Sequence, residues 1–448
     1  MLTRFFLPPH AAHVHESPMK RPRDVLIVMT RLPREGHNKT RLIPALGPAG
    51  ATALHERMAR HTIGRAAAFT MLHPAVSLRV LVDGGTPRQA RAWLGGGRFR
   101  KQESGDLGRR LEAAVSRAFA DGARRVVVIG TDCPALDEST LAAAFEVLDR
   151  ADLVFAPALD GGYTLVGLSG PCAAIFHDID WGGPDVLRQS VDAAARSRKS
   201  VRQLEPMADV DLPGDLPAAE AALASGETLS IIIPTLNEEK ALPPLLDALL
   251  AARPHEILIA DGGSTDATRQ TAERPGVKVL ATPPGRAAQM NHAAARAAGE
   301  FLLFLHADTR PPPDFPELVT RTLQTPGTSA GAFRFQFDGS HPATPLVESL
   351  VHLRCRLRRL PYGDQGLFLR RSLFHHLGGF PEWPVMEDYQ FVRTLKKSGR
   401  VRITASAAIT SSRRWQDNGL VRTFLRHQLM IAAHHLGVPP ARIATMRP

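Results

Sequence analysis

Two groups of side chains in this sequence have the types and spacing to grip a cation that in turn grips phosphate. His306-Ala307-Asp308 follows a short apolar run, Phe301–Leu305, that reads as a β-strand. A histidine and an aspartate at i and i+2, just past a strand end, can share one divalent ion. A hard cation such as Mg2+ or Mn2+ bridging diphosphate oxygens suits the departure of a nucleoside diphosphate. In the first half, Asp132 of Gly130-Thr131-Asp132-Cys133-Pro134 lies past a similar run, Arg125–Ile129. Asp209 and Asp211 are alternate residues of a short extended segment, so their side chains share a face and could complete a metal site with Asp132. Cationic side chains accompany both groups. Arg31, Lys39 and Arg41 belong to a Gly-containing loop, Thr30–Leu42, that could cradle a nucleotide's phosphates. Arg286 opens an alanine-rich helical run from which its guanidinium could reach a diphosphate.

A base and ribose need a different lining. The segment SIIIPTLNEE, residues 230–239, is a strand ending in Pro234 and a polar loop that carries Asn237 and Glu238. The next strand runs into Ala260-Asp261-Gly262-Gly263-Ser264-Thr265-Asp266. Asp261 at a strand end can accept hydrogen bonds, the glycines allow close backbone approach, and Ser264 or Asp266 can cap the following helix. Taken alone, the same run is also a turn plus a helix cap, and Thr30–Leu42 alone is also a solvated basic loop. That loop lacks the spacing of a P-loop, and no G-x-G-x-x-G follows either opening strand, which disfavours a nicotinamide-dependent dehydrogenase.

The elements that must position these residues are legible as short β-rich runs separated by helical patterns. Val25–Thr30, Leu78–Val82, Arg125–Ile129 and Leu153–Ala156 are the strands expected in the first half. Ser230–Thr235, Glu256–Ala260, Val277–Ala281 and Phe301–Leu305 are those expected in the second. Unbroken apolar runs of this length suit strands buried on both faces of a parallel sheet. Their alternation with helices implies two α/β domains with sites at the carboxyl ends of the strands. The 448 residues divide into a disordered leader (1–22), a first domain (23–220), a linker (221–228) and a second domain (229–448).

The formal charge of +11 is spread evenly over the two halves, which argues against a nucleic-acid-binding tail. It fits anionic small substrates, an acidic membrane surface or simply a solvated basic exterior. Cys133, Cys172 and Cys355 are far apart in the chain, so a reducing, cytoplasmic setting without disulfides is expected. No apolar stretch reaches the length of a membrane span. Leu346–Arg359 and Gly419–Leu436 are basic and partly amphipathic. They read as core-packing helices with solvated arginines, the alternative being helices lying peripherally on the inner face of the cell membrane.

The order PTLNEE, ADGGSTD, GRAAQMN, FLHAD, PYGDQGLFLRR, GGFPEWPVMEDYQF resembles the family 2 glycosyltransferases from about Ser230 to Trp415. The resemblance implies a GT-A fold and transfer of a sugar from a nucleotide-diphosphate donor to a small-molecule or lipid acceptor, with inversion. It implies that Asp261 contacts the nucleotide, that Asp308 is the metal-binding acid of a D-x-D element whose first Asp is here His306, and that Asp388 is the catalytic base. Gly363, Asp364, Gln365, Glu387, Arg414 and Trp415 fall on the acceptor side. Residues 25–220 resemble the DUF2064 family, related to nucleotidyltransferases and glycosyltransferases of GT-A type and found beside arsenosugar-associated family 2 enzymes. Its closing D-V-D-x-P-x-D-L looks like the terminal metal motif of nucleotidyltransferases. The resemblances imply two tandem GT-A-like domains of one pathway. Two other organisations stay open: a bifunctional nucleotidyltransferase plus glycosyltransferase, or a non-catalytic nucleotide-binding or scaffolding first domain.

Overall fold

A computed structural model describes residues 24–339, 344–412 and 420–446; the expected leader lies outside them. Among these residues seven strands build one sheet: β1 (Asp24–Arg31), β2 (Val76–Asp83), β3 (Phe99–Lys101), β4 (Arg125–Ile129), β5 (Leu153–Pro157), β6 (Tyr163–Leu168) and β7 (Val201–Gln203). Eight build a second: β8 (Leu229–Thr235), β9 (Glu256–Asp261), β10 (Val277–Ala281), β11 (Phe301–Phe304), β12 (Thr309–Arg310), β13 (Thr328–Phe337), β14 (Leu367–Arg370) and β15 (Arg400–Thr410). The strands expected from apolar runs are all present. The central ones are buried on both faces: Leu26, Ile27 and Val28 of β1, and Ile231, Ile232 and Ile233 of β8, are fully buried.

The first sheet has the order β3-β2-β1-β4-β6-β5-β7, and the second β10-β9-β8-β11-β14-β13-β15-β12. Apart from the added two-residue β12, the two orders are the same. In each sheet four parallel strands are followed by one antiparallel strand, β6 or β14, inserted beside the fourth. The fold is therefore duplicated as two α/β domains with mixed, mostly parallel sheets, while the sequences have diverged. The strands not expected from the sequence are β3, β6, β7 and β12 to β15. Most are short or interrupted by small residues. Gly167 of β6 is an example: a Cβ there would come within 2.6 Å of Val154 on the neighbouring β5.

Helices cover both faces of each sheet, with apolar clusters on either side. The expected linker is partly helical. Leu216–Ser225 forms a helix whose Ala219 and Leu223 pack on Ala51, Leu54 and Met58 of the long helix Ile43–Leu72, so the first domain extends to about residue 226. The two domains touch directly. Arg402 donates to the Gly95 carbonyl (3.0 Å), and Gln324 donates to Glu227 (3.1 Å). The three cysteines are free and buried. No helix among the described residues is long and apolar enough to cross a membrane.

Candidate active sites

In the second domain, β11 ends at Phe304 and delivers His306 and Asp308 to the carboxyl end of the sheet. The backbone there is pinned by the Ser411 amide, which donates to the Asp308 carbonyl (3.0 Å). A helical turn, Gly363–Gln365, leads into β14 opposite. The Gly363 amide donates to Asp388 Oδ2 at 2.7 Å, and the Tyr389 amide donates to Oδ1 at 2.6 Å. Asp388 lies in the first turn of the helix Glu387–Ser398, where exposed N–H groups favour a negative charge. Gly363 is tightly enclosed: a Cβ would sit 2.7 Å from His306 Nε2 and 3.3 Å from Asp388 Oδ2. His306, Gly363 and Asp388 thus meet in one knot, although 82 residues separate the first from the last.

Asp364 belongs to the same knot. Its Oδ1 is shielded from water and has no hydrogen-bond partner. Burial, reinforced by the nearby charges of Asp388 and Asp308 and opposed by Arg354, pushes its carboxyl up to about 6. Asp364 therefore feels the charges of two other carboxylates. An orphaned, shielded carboxylate oxygen among like charges is the environment a hard divalent cation would relieve. Among the described residues, no three His, Cys, Asp or Glu side chains converge closely enough to hold a metal by themselves. The arrangement fits the mode in which one or two protein ligands bind the ion and substrate phosphates complete its shell.

Two residues expected on the acceptor side are turned elsewhere. Gln365 is fully buried and donates to the Phe333 carbonyl (3.0 Å), so it ties the turn to β13. Glu387 is 2% exposed, with its carboxylate 3.6 Å from Arg286. Burying that charge requires an opposite one, and Arg286 supplies it, which also holds the guanidinium at the edge of the cleft. Arg414 and Trp415 lie outside the described residues.

The nucleotide-side loops are interlocked. Asn237, in the left-handed region at φ 57°, donates its amide to Ser264 Oγ (3.0 Å) and accepts from the Thr265 amide (2.9 Å). The Glu238 amide donates to Thr268 Oγ1 (2.7 Å), and Asp266 accepts from the Thr268 amide (3.0 Å). Pro234, half-buried, is the penultimate residue of β8. Asp261 is 1% exposed and accepts from the amides of Gly263 and Ser264 (3.2 Å each). Its carboxylate organises its own loop, rather than standing free toward a ligand. Gln289, which sequence reasoning missed, is buried and donates to the carbonyls of Thr235 (2.8 Å) and Ala260 (2.7 Å), bracing the ends of β8 and β9.

The first domain has a cavity of about 620 Å3 at the carboxyl end of its sheet, lined by Thr30, Lys39, Arg110, Asp132, Trp181 and Asp211 among others. Lys39 is at its centre. Its ammonium lies 2.6 Å from the Val210 carbonyl, 2.8 Å from Asp132 and 3.1 Å from Asp211, which engages all three of its donors. Burial opposes the charge on Lys39, but the two carboxylates outweigh it and its pKa rises. Arg41 holds the other oxygen of Asp211 (3.2 Å), while Arg31 lies 3.7 Å from Asp83 with its side chain 59% exposed. Asp209 stands apart from these pairs and is raised by burial, then by Asp160 and Asp211. The expected trio Asp132, Asp209 and Asp211 thus does not form an open cation site here, because an ammonium lies between two of its members. Lys39 is correspondingly turned to these carboxylates. Buried Gln102, also missed, donates to the carbonyls of Thr30 (2.9 Å) and Leu81 (3.1 Å), a brace that parallels Gln289.

Residues 67–183 match the model of an uncharacterized protein family conserved in bacteria (DUF2064), and residues 230–379 match that of glycosyl transferase family 2. An uncharacterized glycosyltransferase of Mycobacterium bovis is 32% identical over 97 residues, covering 21% of this chain and 44% of the relative. Glucosyl-3-phosphoglycerate synthase of Mycobacterium tuberculosis is 32% identical over 107 residues, covering 21% and 32% respectively. The chain thus spans less than half the length of these curated relatives. A crystal structure of that synthase, in complex with Mn2+, uridine diphosphate and phosphoglyceric acid, is 22% identical with a TM-score of 0.37, covering 50% of this chain and 83% of its own. By these family matches, the chain joins a DUF2064 segment to a glycosyl transferase family 2 segment.

Proposed function

We propose that the second domain transfers a sugar from a nucleotide-diphosphate donor to the hydroxyl of a small-molecule or lipid acceptor, inverting the anomeric centre. The observation that carries this reading is the meeting of His306 and Asp388 at Gly363, with Asp364 buried within reach of the charges of Asp388 and Asp308. The family match supports it. In this reading the loops carrying Pro234, Asn237, Glu238, Ser264 and Asp266 receive the nucleotide. Their mutual hydrogen bonds preorganise them before it arrives.

Asp388 is the general base. Its two backbone hydrogen bonds orient the carboxylate and leave lone pairs free to accept the proton of an attacking hydroxyl. Asp308, with His306 beside it, would hold Mg2+ or Mn2+, whose chemistry is to stabilise negative charge on the leaving diphosphate. Arg286, steadied by Glu387, adds a fixed positive charge on the same side. Asp364, beside the base, faces the acceptor.

The first domain binds a nucleotide of the same pathway as a glycosyl- or nucleotidyltransferase-like module. Its basic loop and the large cavity at the carboxyl end of its sheet support that role. The test is a screen of purified chain with Mn2+ or Mg2+ against a panel of sugar nucleotides, following donor hydrolysis and thermal stabilisation. Donor turnover that disappears in Asp388→Asn and persists in Asp132→Ala is the expected result. No stabilisation by any sugar nucleotide would defeat the proposal.

A further inference from the structure

The helices Thr344–Arg358 and Leu420–His435 pack side by side on the second domain. The first buries Val347, Val351 and Cys355 against Phe335 and Phe337. Its opposite face carries Leu346, Leu350, Leu353 and Leu357, spaced i, i+4, i+7 and i+11, with Leu353 51% and Leu357 72% exposed. The second helix repeats the arrangement. Met430 is buried, while Leu425 (60% exposed), Leu429 (58%) and Leu436 (83%), just beyond the helix end, form a row facing solvent. Among the described residues, six of the ten well-exposed large apolar side chains belong to this one region. Scattered surface leucines need no explanation, but two adjoining rows at helical spacing mark an interaction surface.

The charges beside these rows identify the partner. Arg356, Arg358, Arg359 and Arg422 are exposed, Arg426 is half-buried, and the second helix contains no acidic residue. The one acid of the first helix, Glu348, accepts from the Phe337 amide and is turned to the protein. We propose that this face docks on the surface of an anionic lipid bilayer, with leucines entering the acyl boundary and arginines meeting headgroup phosphates. An apolar row flanked by arginines without acids is the complement of such a surface. The docking is independent of the sugar-transfer reading, because it uses none of the catalytic residues.

The experiment is flotation of the full chain with vesicles of neutral phosphatidylcholine alone or mixed with three parts in ten of anionic phosphatidylglycerol. Binding to anionic vesicles at least tenfold tighter than to neutral ones, weakening in high salt, is expected. L353E/L357E/L425E/L429E should lower that binding at least tenfold with an unchanged circular dichroism spectrum. R356E/R422E/R426E should abolish the preference for anionic lipid. Equal binding to both vesicle types, or undiminished binding by the leucine variant, would overturn the proposal. So would light scattering that shows a dimer in the native chain and a monomer in the leucine variant, since the face would then be occupied by a second copy.

Discussion

The two sheets share a strand order, and each braces its first two strand ends with a buried glutamine amide, Gln102 in one and Gln289 in the other. Their acids are handled in opposite ways. In the first domain the carboxylates of Asp132 and Asp211 close on Lys39, a resident cation. In the second, burial and the nearby charges of Asp388 and Asp308 push the Asp364 carboxyl well above the usual carboxylate range. One scaffold therefore holds a charge-balanced cleft and a charge-frustrated one. The difference teaches that the frame sets where a site lies, while a few loop side chains decide how its acids are balanced.

The sharpest way to break this comparison is to remove the proposed base. Asp388→Asn keeps one acceptor for the Gly363 amide, so the fold should hold. Sugar transfer should fall about 10²–10⁴-fold with donor affinity little changed, measured by steady-state kinetics and donor titration. Transfer within tenfold of native would remove Asp388 from the mechanism.

Stability against pH tests the frustrated cleft. The folded pKa of Asp364 is about 6 against an ordinary 3.8. The folded state then binds the proton more tightly than the unfolded one. Relative stability is fully present below pH 3.8 and declines as pH rises through about 6. Asp364→Asn should gain up to about 3 kcal/mol at pH 8 and nothing at pH 3.5, read from urea midpoints. A gain independent of pH would mean that packing is responsible. Adding Mn2+ should shrink that gain by stabilising the native chain, because the ion screens the same repulsion.

Lys39→Met tests the balanced cleft. Both carboxylate partners are more than a third exposed, so solvent screens the unpaired charges and the loss should be modest, about 1–2 kcal/mol. Millimolar Mg2+ should recover part of that loss in Lys39→Met while leaving the native first domain's melting unchanged. Equal Mg2+ stabilisation of both would show that Lys39 yields its place readily.

The smallest effect concerns the junction of the domains. His61 is 2% exposed, its Nε2 contacts the Pro134 carbonyl, and Arg370 of the second domain lies close enough to oppose its charging. Burial first, and then Arg65 and Arg370, lower its pKa to about 3. Its contribution is intact above about pH 6.5 and is lost as pH falls toward 3. His61→Gln should flatten the acid limb of the stability profile between pH 6 and 5, a change of about 1 kcal/mol by the same linkage, with neutral-pH stability nearly unaltered.

Much of the fold could be read from the chain. Val25–Thr30 and Ser230–Thr235 are apolar, β-rich and bounded by polar loops, and such runs leave little choice but a central strand. β6 and β14 were not legible. Their short runs are indistinguishable from loop ends until they insert between other strands, and that insertion turns a parallel sheet into a mixed one. At the site, His306, Asp308 and Asp388 stood out by type and place. Gln289 and Gln102 did not, since a glutamine in a helix or loop announces nothing until two carbonyls converge on it.

The amino-acid order by itself determined two α/β domains, the strand ends from which their polar residues project, and the families they resemble, because periodicity and motif spacing are local properties. Tertiary structure alone decided that Gly363 brings His306 and Asp388 together, that Lys39 lies between Asp132 and Asp211, and that Glu387 and Gln365 face inward. It also decided which side of Thr344–Arg358 is buried. Charge partners and solvent exposure depend on distances across the fold, and no spacing along the chain encodes them.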